Sequence, residues 1–109
     1  MKTFKDIQFH PHEYIPDAIH GTVNVKNMIV SVAQSSRHYS GTDTYEVAVM
    51  DDQMDDMYWL GENEQVRGWQ SEDEIDALLV TMELSTESFK QRCLRHKTKH
   101  DEYMQTLQD

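Results

Sequence analysis

The first half of the chain alternates polar and apolar residues at the two-residue period of a β-strand. Thr22-Val23-Asn24-Val25 places both valines on one face, and the apolar run 28–33 follows the turn-forming pair Lys26-Asn27. Because successive side chains of a strand point to opposite faces, the pattern predicts an antiparallel hairpin with one buried face.

A second hairpin is predicted after the polar loop that follows. Tyr45, Val47 and Val49 share one face of a predicted strand over 44–50, and a further short strand is predicted at 57–60. The polar residues between these two segments are typical of a turn.

Two helices are predicted in the second half. Ser71 followed by Glu74 has the spacing of a capping box, and Ser85-Thr86 interrupts the pattern before a second helix that runs to about Leu107. The apolar positions of the first helix form one stripe: Ile75, Leu78, Leu79 and Met82.

Strands followed by helices indicate an α+β fold. We expect a small antiparallel meander of three to four strands, packed by one amphipathic helix, with a second C-terminal helix. Residues 1–20, which contain Pro11 and Pro16, are predicted to be an irregular or short docked N-terminal arm. Residues 21–84 form the predicted core and 85–109 the C-terminal helix, within one domain.

Length and composition narrow the class of protein. The 109 residues suit one modest core, and no run of eighteen apolar residues is present, so no membrane partner is expected. No stretch resembles a secretory signal, and the lone Cys93 cannot form an internal disulfide, so we expect a cytoplasmic protein. No motif of a known enzyme class is present, and neither catalytic residues nor a cofactor are predicted.

The net charge of −10 is concentrated in the middle of the chain. Residues 45–84 hold twelve acids against Arg67 alone, whereas residues 85–109 hold five bases. Such a field repels phosphates and attracts basic partners, so direct nucleic-acid binding is not expected.

The acidic stretch at 51–56 admits three interpretations. In a calcium-binding EF-hand loop, Asp51 and Glu62 would be the first and twelfth positions, but the sixth is Asp56 instead of glycine. A strand pattern also precedes the stretch where a helix is required, so a metal site is not predicted. A hairpin turn is the structural interpretation, and an acidic partner-binding surface is compatible with it.

Carboxylates in turns and first helical turns are often merely solvated, and aromatic residues often fill a small core. The alternative is that both belong to a binding surface, with Tyr58 and Trp59 as anchors. It is open whether the acids of the turn and of the first helix join into one surface. The predicted partner-binding residues are Asp51, Asp52, Asp55, Asp56, Tyr58, Trp59, Glu72, Asp73 and Asp76.

One stripe of the last helix offers a different interface. It could pack on the sheet or on a second copy of the chain, and the bases of this helix could pair with the acidic middle of that copy. A zinc site from Cys93, His96 and His100 would need a fourth ligand, so it is the weaker alternative. The residues predicted for self-association, as a possible homodimer, are Phe89, Cys93, His100, Met104 and Leu107.

Four short motifs follow one another between residues 20 and 84. They are Asn-Met-Ile-Val-Ser-Val at 27–32, Tyr-Glu-Val-Ala-Val-Met at 45–50, Gln-Val-Arg-Gly-Trp at 65–69 and Ser-Glu-Asp-Glu-Ile at 71–75. In their order and pattern, residues 20–84 resemble a group of small proteins encoded by tailed phages and prophages. Two glycines of that group's first motif are replaced by Met28 and Val30, and its short hairpin turn is replaced by the acidic stretch.

The resemblance implies action in the cytoplasm of a bacterial host. Together with the charge, it favours a non-enzymatic accessory protein that binds and inhibits a host protein with a basic surface. A counter-defence role, as an anti-CRISPR or anti-restriction mimic of nucleic acid, is the most specific form of this hypothesis. The alternative is a structural or assembly protein of the phage that self-associates through the C-terminal helix.

Overall fold

The computed structural model describes residues 1–35, 43–53 and 56–108, which form an α+β fold. Its sheet is a five-stranded antiparallel meander in which each strand pairs with the next along the chain. The predicted fold class is therefore confirmed, with five strands where three to four were expected. The strands are β1 (His10–Pro11), β2 (Ile19–Val25), β3 (Met28–Gln34), β4 (Tyr45–Asp51) and β5 (Val66–Gln70).

One face of the sheet forms the floor of the core. Val30 of β3 lies between Val23 of β2 and Val49 of β4 in the strand register, and all three side chains are buried. Lys26 and Asn27 connect β2 to β3 with φ angles of 49° and 64°. Positive φ at both central residues is the requirement of a type I′ two-residue hairpin turn, so the predicted turn is confirmed.

The N-terminal arm is docked on the sheet. A short 3₁₀ helix precedes β1, the Ile7 side chain is buried, and the rings of Phe4, Phe9 and Tyr45 lie 5.1–5.7 Å apart. A Cβ atom on Gly21 would lie 2.6 Å from Cγ2 of Ile7. Glycine at this position therefore permits the arm to approach the sheet closely.

The last strand differs from the prediction. Residues 57–60 do not form a regular strand, because only Met57 bridges to Met50 before the chain turns. The N–H of Leu60 then donates to the carbonyl of Glu64 at 2.9 Å, so a local turn satisfies this backbone instead of a sheet ladder. β5 follows that turn and completes the sheet.

Helix α1 (Glu72–Leu84) begins where it was predicted. The N–H of Glu74 donates to Oγ of Ser71, and the N–H of Ser71 donates to Oε1 of Glu74, both at 3.1 Å. The capping box is therefore formed. The side chains of α1 that are fully buried against the sheet are Ile75, Leu79 and Met82.

Helix α2 (Thr86–Gln108) covers the sheet with its first half only. Phe89 and Cys93 are buried in the core, whereas every described side chain from 101 to 108 is exposed. The helix therefore extends beyond the body of the protein. No helix in the described part of the chain is both long and apolar enough to cross a membrane.

Candidate functional site at the β4–β5 connection

The acidic stretch begins as a hydrogen-bonded turn at the end of β4. The N–H of Gln53 donates to Oδ1 of Asp51 at 3.1 Å, and the N–H of Asp51 donates to the carbonyl of Asp56 at 3.2 Å. Aspartate favours such turns because its side chain caps the backbone two residues ahead. The structural role predicted for the stretch is thus present, while Asp55 lies outside the described residues.

Three aspartates of this stretch affect the ionisation of the Tyr58 phenol. Burial raises the pKa of Tyr58 above its ordinary value of 10.0, and the negative charges of Asp51, Asp52 and Asp56 raise it further. A nearby negative charge opposes ionisation of the phenol, so all three carboxylates act in the same direction. Asp52 and Asp56 form no ion pair with a base in the described ranges. We call Asp51, Asp52, Asp56, Tyr58 and Trp59 the hairpin surface.

A cleft of about 390 Å³ separates the hairpin surface from α2. Tyr58 lies edge-on to the Phe89 ring at 6.3 Å between centroids, and the Trp59 ring is tilted by 32° against the His100 ring, with 4.2 Å between centroids. These contacts fix both aromatic rings while leaving them partly accessible, which suits anchors of a binding site. The remaining lining consists of Met57, Gln65, Lys90, Cys93, Leu94 and Lys97.

The wall of this cleft that α2 contributes was not predicted from the sequence. Lys90, Leu94 and Lys97 lie at positions i, i+4 and i+7, which places them on one side of the helix. That spacing was the signal in the sequence from which a shared surface of these three residues could have been predicted. What the sequence could not show is that this side of α2 faces the hairpin surface.

The acids of α1 lie at the other end of the sheet. Asp51 ends β4, whereas Tyr45 begins it and pairs with Gln70, just before the α1 acids start at Glu72. Six residue steps at about 3.3 Å each separate the ends of β4 by about 20 Å. The turn and the first turn of α1 therefore do not form one continuous acidic surface.

The α1 acids have separate surroundings of their own. Burial raises the pKa of Tyr45, and the charges of Glu72 and Asp43 raise it further. Asp73 is exposed. Asp76 instead accepts a hydrogen bond from the N–H of Phe4 at 2.6 Å, which ties the N-terminal arm to α1. Of the three predicted binding residues on α1, Asp76 thus has a structural contact within the chain.

The bases of α2 lie beside the acidic middle of the same chain. Lys99 forms an ion pair with Glu62 at 3.4 Å, and Lys90 and Lys97 line the cleft together with Asp56. The sequence suggested that these bases could meet the acids of a second copy. The structure gives them acidic neighbours within one chain.

The stripe predicted for self-association is divided by the fold. Phe89 and Cys93 are buried in this chain's own core and are not available to a second copy. His100 is partly covered by Trp59, while Met104 and Leu107 are exposed. Only the distal half of the stripe remains as a surface.

The zinc alternative finds no support in the geometry. Within residues 1–35, 43–53 and 56–108, no three side chains of histidine, cysteine, aspartate or glutamate are grouped so as to hold a metal ion. Cys93 is buried, and burial raises the pKa of its thiol despite the opposing charges of Arg92 and Arg67. This opposes the thiolate that zinc binding requires.

Comparison of the chain with family models, curated proteins and solved structures found no match. The resemblance to phage proteins thus stays a prediction.

Proposed function

We propose that this chain is a non-enzymatic binding protein whose hairpin surface occupies a basic site on a protein of the bacterial host. The observation that carries the proposal is the turn at the end of β4, which presents Asp51, Asp52 and Asp56 beside a cleft that Tyr58 and Trp59 line. Lysine and arginine side chains of a partner would meet the carboxylates, and an apolar side chain would enter the cleft.

The proposed inhibitory role follows from the kind of partner that such a surface fits. A groove that binds nucleic acid presents lysine and arginine to successive phosphates, and closely spaced carboxylates can take the place of those phosphates. A partly buried tyrosine and tryptophan add contacts that phosphates do not supply. A counter-defence protein of a phage, acting on a nuclease, is the specific form of this proposal.

The acids of the hairpin surface and those of α1 lie far apart, so a variant of the α1 acids is a matched control for a variant of the hairpin surface. Asp52→Asn/Asp56→Asn removes two charges from the hairpin surface, and Glu72→Gln/Asp73→Asn removes two charges about 20 Å away. We call these the hairpin variant and the α1 variant. All four side chains are exposed, so neither variant should unfold the protein.

The experiment is affinity capture from lysate of the bacterial host, followed by identification of the captured protein and a competition assay with duplex DNA. The wild type and the α1 variant should capture the same basic protein, and DNA should displace it. The hairpin variant should lose at least tenfold in affinity. Equal capture by the hairpin variant, or capture that DNA does not affect, would contradict the proposal.

A second candidate function is self-association in a structural or assembly role. The observation that favours it is the exposure of Tyr103, Met104 and Leu107, at 57%, 42% and 63%, where α2 extends beyond the body. Burying three such side chains supplies roughly 6 kcal/mol before the cost of association. The cost of association, at least about 4 kcal/mol, cancels most of this gain, so only weak self-association is expected.

Sedimentation velocity over a hundredfold concentration range tests the second function. The wild type should shift reversibly toward a dimer at the highest concentrations, and Leu107→Ser should remove the shift. Leu84→Ser is the control, because Leu84 is equally exposed at 68% but lies at the end of α1. A wild type that stays monomeric throughout would exclude self-association.

A further inference from the structure

A second cleft, of about 310 Å³, lies between α1, α2 and β5. Its apolar walls are formed by Leu60, Leu78 and Phe89, and its charged groups include Arg67 of β5 and Arg92 of α2. Cys93 lines this cleft as well as the cleft of the hairpin surface, so the two clefts share one buried residue. Two of the four arginines of a strongly acidic chain thus line one small space.

The hydrogen-bonding capacity of these arginines is only partly used. Nε of Arg67 donates to Oε1 of Glu64 at 3.2 Å, and Nη2 donates to the carbonyl of Leu60 at 2.5 Å. These bonds hold the guanidinium in place, and Nη1 has no partner among the described residues. Arg92, and His96 one turn further along α2, form no hydrogen bond or ion pair within the described ranges.

One cationic group in this cleft remains available to an anion. Glu74 is the acid among the lining residues, and its Oε1 already accepts a hydrogen bond from the N–H of Ser71 at the helix cap. Charges further away are screened over about 8 Å at physiological salt. Within that distance Glu64 forms an ion pair with Arg67 at 3.2 Å and offsets its charge. The guanidinium of Arg92, which has no ion-pair partner among the described residues, is therefore the cationic group left to attract an anion.

We propose that this cleft binds a small organic carboxylate with an apolar body. Planar guanidinium groups match the two oxygens of a carboxylate. Leu60, Leu78 and Phe89 would enclose the apolar part, and a space of about 310 Å³ suits a ligand of the size of a substituted benzoate. The proposal is independent of the hairpin surface.

The test uses the full chain and benzoate as the probe, with binding followed by NMR through the side-chain Nε–H signals of Arg67 and Arg92. Benzoate should shift both signals and saturate in the millimolar range. Arg92→Gln should weaken binding at least tenfold, and glutamine preserves helix propensity. Arg95→Gln is the control, because Arg95 is an exposed arginine of the same helix that does not line the cleft.

Two further probes test separately whether the ligand needs its negative charge and its apolar body. Benzyl alcohol, which keeps the ring without the charge, should bind at least tenfold more weakly than benzoate. Inorganic phosphate, which keeps the charge without an apolar body, should also bind at least tenfold more weakly. The proposal is overturned if benzoate leaves the two arginine signals unchanged, if phosphate binds as well as benzoate, or if Arg95→Gln weakens binding as much as Arg92→Gln.

Discussion

The contact between Asp76 and the N-terminal arm predicts that replacing Asp76 lowers stability without weakening partner binding. The Asp76 carboxylate accepts the N–H of Phe4 at 2.6 Å across 72 positions of sequence, in a partly buried environment. A hydrogen bond to a charged group contributes about 1.5–3 kcal/mol, and one between neutral groups about 0.5–1.5 kcal/mol. Asp76→Ala should therefore lower the free energy of unfolding by about 2 kcal/mol, and Asp76→Asn by about 1 kcal/mol.

Urea unfolding followed by circular dichroism measures the global effect. With a denaturant dependence of about 1–3 kcal/mol per M, Asp76→Ala should lower the midpoint by about 1 M. Asp73→Asn is the control, because Asp73 is exposed on the same helix, and it should change the midpoint far less. Since the Asp76 carboxylate already bonds the arm, we expect Asp76→Asn to leave partner capture unchanged.

The arm can also open locally, without unfolding of the whole protein. In that case the urea midpoint stays constant, and trypsin cleavage after Lys5 in the arm accelerates instead. A loss of about 2 kcal/mol corresponds to roughly 30-fold faster cleavage. An Asp76→Ala variant with neither a lower midpoint nor faster cleavage would refute the structural role of this contact.

Two more predictions address the core and the hairpin surface. Gly21→Ala should lower the free energy of unfolding by about 1–3 kcal/mol, measured by urea unfolding, because the added Cβ would lie 2.6 Å from Cγ2 of Ile7. The hairpin variant should lower the pKa of Tyr58 in an alkaline titration read by phenolate absorbance, whereas the α1 variant should leave it unchanged. Because the folded-state pKa of Tyr58 is raised, its contribution to stability is complete below pH 10.0 and is lost as the pH rises through that folded-state pKa.

The sequence predicts the elements that have a clear period. The alternation at 22–25, the turn at Lys26-Asn27 and the cap at Ser71 all appear where expected, because each depends on residues close together in the chain. β5 was missed because Gly68 and polar neighbours interrupt its pattern. The structure also contains a register shift between β4 and β5, with Trp69 at a φ of 52°, which no periodicity reveals.

The candidate site was harder to predict than the fold because it depends on strand register. The acids at 51–56 and those from Glu72 onward are close in sequence, yet β5 returns the chain along β4 and separates them by about 20 Å. The bases of α2, which are distant in sequence, lie beside the first group. Charge composition alone therefore indicated a binding surface without locating it.

The cleft of the hairpin surface is lined by both negative and positive side chains. Replacing the charges of each sign separately therefore tests how the cleft contributes to binding. Asp56 lines it from one side and Lys90 and Lys97 from α2 on the other. A basic partner gains from Asp56 and loses from the two lysines. The affinity of a partner held by apolar contacts alone would not change when any of these three charges is removed.

Lys90→Gln/Lys97→Gln should therefore strengthen capture of a basic partner, while the hairpin variant weakens it. Exposed charges contribute about 0.2–1 kcal/mol each, so replacing both lysines should raise the affinity about two- to thirtyfold at low salt. Lys26→Gln is the control, since Lys26 lies in the β2–β3 turn away from this cleft. Titration calorimetry at two salt concentrations measures the effect, which should diminish at the higher one. If the lysine variant weakens binding, the partner presents acids to this cleft, and its proposed basic character is wrong.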